Sequence, residues 1–195
     1  MFRFALTFRT VIWATLLSIG CQMQSVAACT FDKEKLLALD ADSFDQDMKG
    51  GWRAVAMQDN CQLVAADLIK EYRELRGPRT WRVMIWHEGQ LRAMAGDIRS
   101  AIPLLEQSRV VLEETSPGWN EYVNATIAFL RKDRRAFDEA YAALLALPKP
   151  EYWDTNFFTK DKQWPLNRRV VEGLASCFKS SYEKAYSQCG ISTGK

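Results

Sequence analysis

Laid against itself at an offset of 36 residues, the chain brings its apolar positions into columns. Ala65, Ala101 and Phe137 share one column; Ile69, Leu105 and Tyr141 share a second, four residues on. Leu75, Val111 and Leu147 continue that face, and Val55, Leu91 and Ile127 mark a preceding helix. Spacings of three and four put residues on one side of an α-helix. Two helices per repeat of this length are the signature of stacked hairpins, none of which buries its apolar face alone. The expected fold is all-α, with about three hairpins over 43–76, 80–112 and 117–148.

Residues 1–28 stand outside the pattern. Arg3 and Arg9 form a basic start, Thr10 to Gly20 is apolar but too short to span a bilayer, and Val26-Ala27-Ala28 supplies small residues before a cleavage point. The segment reads as a secretory signal peptide cleaved after Ala28. A second reading takes Ser18-Ile19-Gly20-Cys21 as a loose lipobox, with Cys21 carrying lipid and tethering the chain to a membrane. The remaining residues, 29–195, are expected to form a single domain in the periplasm or outside the cell.

Four cysteines follow the leader: Cys29, Cys61, Cys177 and Cys189. An even count in an exported chain points to two disulfides, with three possible connectivities. Local pairing, Cys29 with Cys61 and Cys177 with Cys189, closes the smaller loops. Metal ligation lacks support, since there is no Cys-x-x-Cys and His87 is the only histidine. No cofactor is expected. The leader holds two basic and no acidic residues, so the rest of the chain carries 24 of each. That balance argues against a nucleic-acid partner, which needs a basic footprint.

Local signals place the elements. Residues 29–41 read as a short helix or coil pinned by the first bridge. Ser43 suits an N-cap for a helix carrying Phe44, Met48, Trp52 and Val55, with Gly50-Gly51 as a kink or a later start. Asp59-Asn60 is a turn, and Gln62 to Arg76 forms a helix ended by Gly77-Pro78. Thr80 opens the next. Pro103 favours a following helix capped by Ser100 and ending near Leu112, because proline is harmless only in a first turn. Ser116-Pro117 reads as a cap and first helical position. Trp119 to Arg131 and Arg135 to Leu147 complete the third pair. An aromatic linker, 151–165, leads to two capping helices within 166–189.

Within Trp81 to Leu112, Gly89, the Gly96-Asp97 turn, Ala101 and Leu105 resemble a tetratricopeptide repeat. The third unit matches less closely, with Ala125, Lys132-Asp133 and Phe137 in the corresponding places. The first has Arg53 in the glycine column, and the period is two residues longer than the family's usual one. The resemblance covers about 43–148. It implies an α–α superhelix in which Gly89 and Ala101 let two helices approach closely. It also implies a groove lined by the first helices, here Val83, Trp86, Gln90 and Ala93, then Trp119, Tyr122, Thr126 and Phe129. Such a groove holds a protein or peptide partner. The opposing expectation is that this aromatic set packs into the core, or that the linker fills the groove.

Catalytic constellations are scarce. His87 and Glu88 are adjacent and point in different directions on a helix. Carboxylate pairs such as Asp45/Asp47, Glu113/Glu114 and Asp138/Glu139 read as solvated surface. Arg131-Lys132-Asp133-Arg134-Arg135 reads as a basic turn, with anionic lipid headgroups as an alternative contact. The function expected is a non-catalytic exported scaffold. The alternatives are an immunity or inhibitor protein blocking an envelope enzyme and, behind it, a cell-wall hydrolase.

Overall fold

A computed structural model describes residues 28–77, 82–111, 117–157 and 159–189. Residues 1–27 of the leader, Cys21 among them, and Pro78, Thr80, Trp81, Leu112 to Ser116 and Phe158, lie outside the described residues. The described chain is helical, and no strand occurs among its residues. Its helices are α1 (Lys33–Ala38), α2 (Ala41–Asp45), α3 (Gly51–Ala56), α4 (Gln62–Arg76), α5 (Arg82–Met94) and α6 (Ile98–Gln107). They continue with α7 (Trp119–Arg131), α8 (Arg134–Ala146), α9 (Arg168–Ser176) and α10 (Tyr182–Lys184), which runs into a π-helical turn, Ala185–Cys189. Consecutive helices pack as α3 on α4, α5 on α6 and α7 on α8, with α4 on α5 and α6 on α7 joining the pairs.

Aspartates start many of these helices. Asp32, Asp40, Asp97 and Asp133 each accept a hydrogen bond from the backbone N–H three residues on, satisfying a donor that the first turn leaves unpaired. Asp40 rather than Ser43 caps α2. The chain then breaks, and the helix restarts at Gly51, whose φ of +52° stops a continuous run from Ser43. α6 likewise starts from Asp97, before the predicted Ser100 cap, so Pro103 sits inside the helix. The proline removes the N–H that would have reached Arg99; both residues are exposed, so water can serve the orphaned carbonyl. α6 ends at Gln107, and Pro117 precedes a Gly118 cap instead of opening α7.

Both expected disulfides form, Cys29–Cys61 and Cys177–Cys189. They fit an oxidising extracytoplasmic environment. Among the described residues no helix is long and apolar enough to cross a membrane.

The columns separate on inspection. Ala65, Ala101 and Phe137 are fully buried, and Val55, Leu91 and Ile127 nearly so. The outer column fails in two of its three places: Leu75 is 64% exposed and Val111 88%, because Leu75 lies in the last turn of α4 and Val111 lies beyond α6, whereas Leu147 is half-buried against the core. Two apolar clusters result. One gathers Phe44, Trp52, Val55, Ile69, Tyr72 and Met84; the other gathers Trp86, Leu105, Tyr122, Phe129, Phe137 and Leu174. α5 contributes to both, and Met94 packs against each. The linker covers the end of α8: Trp153 is buried against Trp164, and the Trp164 indole donates to the Leu147 carbonyl at 3.2 Å.

Candidate functional site: a methionine-edged cleft over an Asp45–His87 pair

The predicted groove is largely interior. Trp86, Gln90, Ala93, Tyr122, Thr126 and Phe129 are buried, and Val83 and Trp119 are half-buried. The C-terminal segment, not the linker, covers them. Gln90 Nε2 donates to the Tyr182 hydroxyl at 3.2 Å and the Tyr122 hydroxyl at 3.4 Å. Phe129 meets the rings of Phe178 and Tyr182, while Trp86 packs against Trp119 and Tyr122. Burial raises the Tyr122 and Tyr182 hydroxyls far above the usual phenol value, so both stay protonated. The aromatic residues chosen for a groove therefore form a core. Periodicity locates the face of a helix but not what lies on it.

The basic turn is also spent internally. Lys132 Nζ donates to the carbonyls of Phe178 and Ser180, at 3.1 and 2.7 Å, and lies over the Phe129 ring. Arg131, Arg134 and Arg135 pair with Glu106, Asp138 and Glu139. Lys132 thereby ties the turn to the C-terminal segment, while the three arginines stay exposed with carboxylates beside them.

A different site emerges where the two clusters adjoin. A cleft of about 300 Å³ opens between α3 and α5, with Met48, Met57, Gln62 and Tyr186 at its sides. From α3 come Trp52, Arg53 and Ala56; from α5 come His87, Gln90, Leu91 and Met94. Positions 87, 90, 91 and 94 share one side of α5, which is why a helix presents all four together. Met48 and Met57 stand 67% and 68% exposed at the rim.

Beneath the cleft floor Asp45 is fully buried. Its Oδ1 accepts from Trp52 Nε1 at 2.8 Å and meets His87 Nδ1 at 2.7 Å; its Oδ2 accepts from Gln46. The Arg53 guanidinium donates to the Asp45 backbone carbonyl and lies 4.1 Å over the Trp52 ring. Burial alone would push the Asp45 carboxyl up, but the hydrogen bond and charge of His87, with Trp52 and Arg53, hold it below its ordinary value. A carboxylate on Nδ1 fixes that nitrogen as the donor, so Nε2 is the nitrogen available to a ligand. The reading of Asp45 and Asp47 as one solvated pair is thus corrected: the two part ways at the break after α2.

Glu88 points the other way, as its adjacency to His87 requires. It is buried and pairs with Arg73 and, at 3.0 Å, with Arg92, joining α4 to α5. Among the described residues the cleft lining holds no serine, threonine or cysteine beside His87. Sequence reasoning missed the site because 42 residues separate Asp45 from His87. The available signal was a lone histidine facing away from its neighbouring glutamate. No known protein family, characterised protein or solved structure matches the chain.

Proposed function

We propose that the protein is a non-catalytic, exported scaffold that binds a protein or peptide partner, acting in the periplasm, and that the partner docks at the cleft between α3 and α5. Its helices are read as a tetratricopeptide-like superhelix of three hairpins capped by the C-terminal helices. Gly89 supports that reading: a Cβ there would lie 2.9 Å from Leu105 Cδ2 and 3.2 Å from Leu104 Cβ, so α5 and α6 approach as closely as the family's glycine permits.

The observation that carries the binding role is the pair of rim methionines. Methionine is unbranched and polarizable, and it adapts to differently shaped apolar groups. Two of them held in solvent beside a concavity lined by Trp52, Leu91 and Met94 cost exposure that a monomer gains nothing from. The test is site-specific photocrosslinking in cells, with benzoylphenylalanine at Met57 and, as control, at Leu75. A discrete adduct from position 57 alone, abolished by Met48→Asp, is expected. Equal adducts from both positions, or one indifferent to Met48→Asp, would sink the reading.

A second reading follows from Asp45 and His87, since a histidine oriented by a buried carboxylate can act as an acid or base toward water. This is the cell-wall hydrolase alternative. Turnover of purified peptidoglycan that vanishes in His87→Asn would establish it.

A further inference from the structure

The cleft is apolar, yet it is equipped with polar groups of a particular kind. Arg53 is half-buried; among the described residues its guanidinium donates to the Asp45 carbonyl, stacks on Trp52 and feels the charges of Asp45 and Asp47 without a direct ion pair to either. A guanidinium carries five N–H donors in a planar fork, so most of its capacity is unspent. The nearest carboxylate behind it, that of Asp45, is committed to Trp52, His87 and Gln46. His87 has no hydrogen-bond partner on Nε2 among the described residues. Among the described residues Gln90 uses only its Nε2, toward Tyr122 and Tyr182, and its Oε1 is left to accept.

A guanidinium with no direct ion pair and with N–H donors to spare, set beside apolar walls, fits an anion joined to an apolar body. The free acceptor on Gln90 asks for more, namely an N–H donor close to that anion. At about 300 Å³ the cleft has the scale of one large residue with its flanking peptide group. A carboxylate, an N–H on the same residue and an apolar side chain between them describe the last residue of a peptide.

We propose that the cleft captures the free C-terminus of a partner polypeptide ending in an apolar residue. Arg53 pairs with the terminal carboxylate, and His87 turns its Nε2 edge toward it. Gln90 Oε1 accepts the terminal residue's N–H. Met48, Met57, Met94 and Leu91 receive its side chain. The proposal rests on the binding role given above and names the part of the partner that is recognised.

Calorimetric titration of the oxidised protein with acetyl-Gly-Leu tests it, with acetyl-Gly-leucinamide, acetyl-Gly-Ser and octanoate as comparison probes. The acid peptide is expected to bind at least tenfold more tightly than the amide and the serine peptide. Arg53→Gln should cost tenfold or more, and Arg53→Lys less. His87→Gln should weaken the acid peptide while leaving the amide unchanged, a difference that general loosening of the fold would not produce. Equal binding of acid and amide, indifference to Arg53→Gln, or no binding at all would overturn the proposal. Octanoate binding as tightly as the peptide would overturn it in favour of a free-acid site. The outcomes separate from the crosslinking result: a partner captured at Met57 with all peptides inert defeats this inference and spares the scaffold reading. Peptide binding without capture does the reverse.

Discussion

Asp45 Oδ1 lies 2.7 Å from His87 Nδ1, and this contact joins the break after α2 to the middle of α5. The carboxylate is fully buried and ionises more readily than in the unfolded chain, despite burial that opposes ionisation, because His87, Trp52 and Arg53 favour the charged form. A carboxyl with a depressed folded value stabilises the protein above its unfolded value, about 3.9. That contribution is lost as the pH falls through the folded value. Asp45→Asn keeps an acceptor for Trp52 but loses the charge, and should cost about 1–3 kcal/mol at pH 7. In urea unfolding between pH 5 and pH 2, the variant should lose less stability than the parent. Parallel pH profiles would show that the pair contributes nothing to acid sensitivity.

Gly51 and Gly96 both hold positive φ, at +52° and +83°, yet differ in what surrounds them. A Cβ on Gly51 would stand 2.0 Å from the Phe44 carbonyl oxygen, a backbone atom that cannot swing aside. One on Gly96 would meet nothing within 4 Å. Gly96→Ala should cost only the backbone strain, about 1–2 kcal/mol. Gly51→Ala adds a forced shift of the α2–α3 junction and should cost about 3 kcal/mol or more. Urea midpoints of the two variants check the order. Since Gly51 begins the helix that carries Trp52 and Arg53, its variant should also blunt binding at the cleft.

The repeat columns make unequal demands on side-chain size. Phe137 is fully buried at the centre of one cluster, and Phe137→Ala should destabilise by about 3–5 kcal/mol. Val111, in the same 36-residue register as Leu75, is exposed, and Val111→Ala should stay within about 0.5 kcal/mol of the parent. Thermal unfolding of both separates a position that builds the core from one that only shares its phase.

Much of the fold was legible because local chemistry and periodicity agree. α4, from Gln62 to Arg76, and α7, from Trp119 to Arg131, lie where apolar spacing places them. Both disulfides join the partners that an even cysteine count and short loops favour. Helix starts were less legible: aspartates at 40 and 97 outcompeted the serines at 43 and 100, each accepting a bond from the serine N–H and so starting the helix earlier. The candidate site was hardly legible at all. A helical stripe of Trp86, Gln90, Ala93, Tyr122 and Phe129 looks the same whether solvent or Tyr182 lies over it, and the difference is made by residues some 50 to 100 positions away. The cleft depends on contacts such as Asp45 with His87, which obey no short spacing.

The Cys177–Cys189 bridge closes the segment that carries Tyr182 onto the aromatic cluster. Its sequence separation is 12, against 32 for Cys29–Cys61. By chain entropy alone the shorter loop contributes about 3 kcal/mol and the longer one nearly 1 kcal/mol more. The two should nevertheless differ in kind. Opening Cys177–Cys189 with paired serine substitutions releases the ring that covers Gln90 and Phe129, so the near-ultraviolet dichroism of Trp86, Trp119 and Tyr122 should weaken below the unfolding temperature. Opening Cys29–Cys61 frees the chain before α1 and should leave that signal in place while lowering the urea midpoint. If both variants retain full aromatic dichroism until they unfold, Lys132 on the Phe178 and Ser180 carbonyls is holding the cap without the bridge. Lys132→Met in the bridge-free variant should then remove the signal.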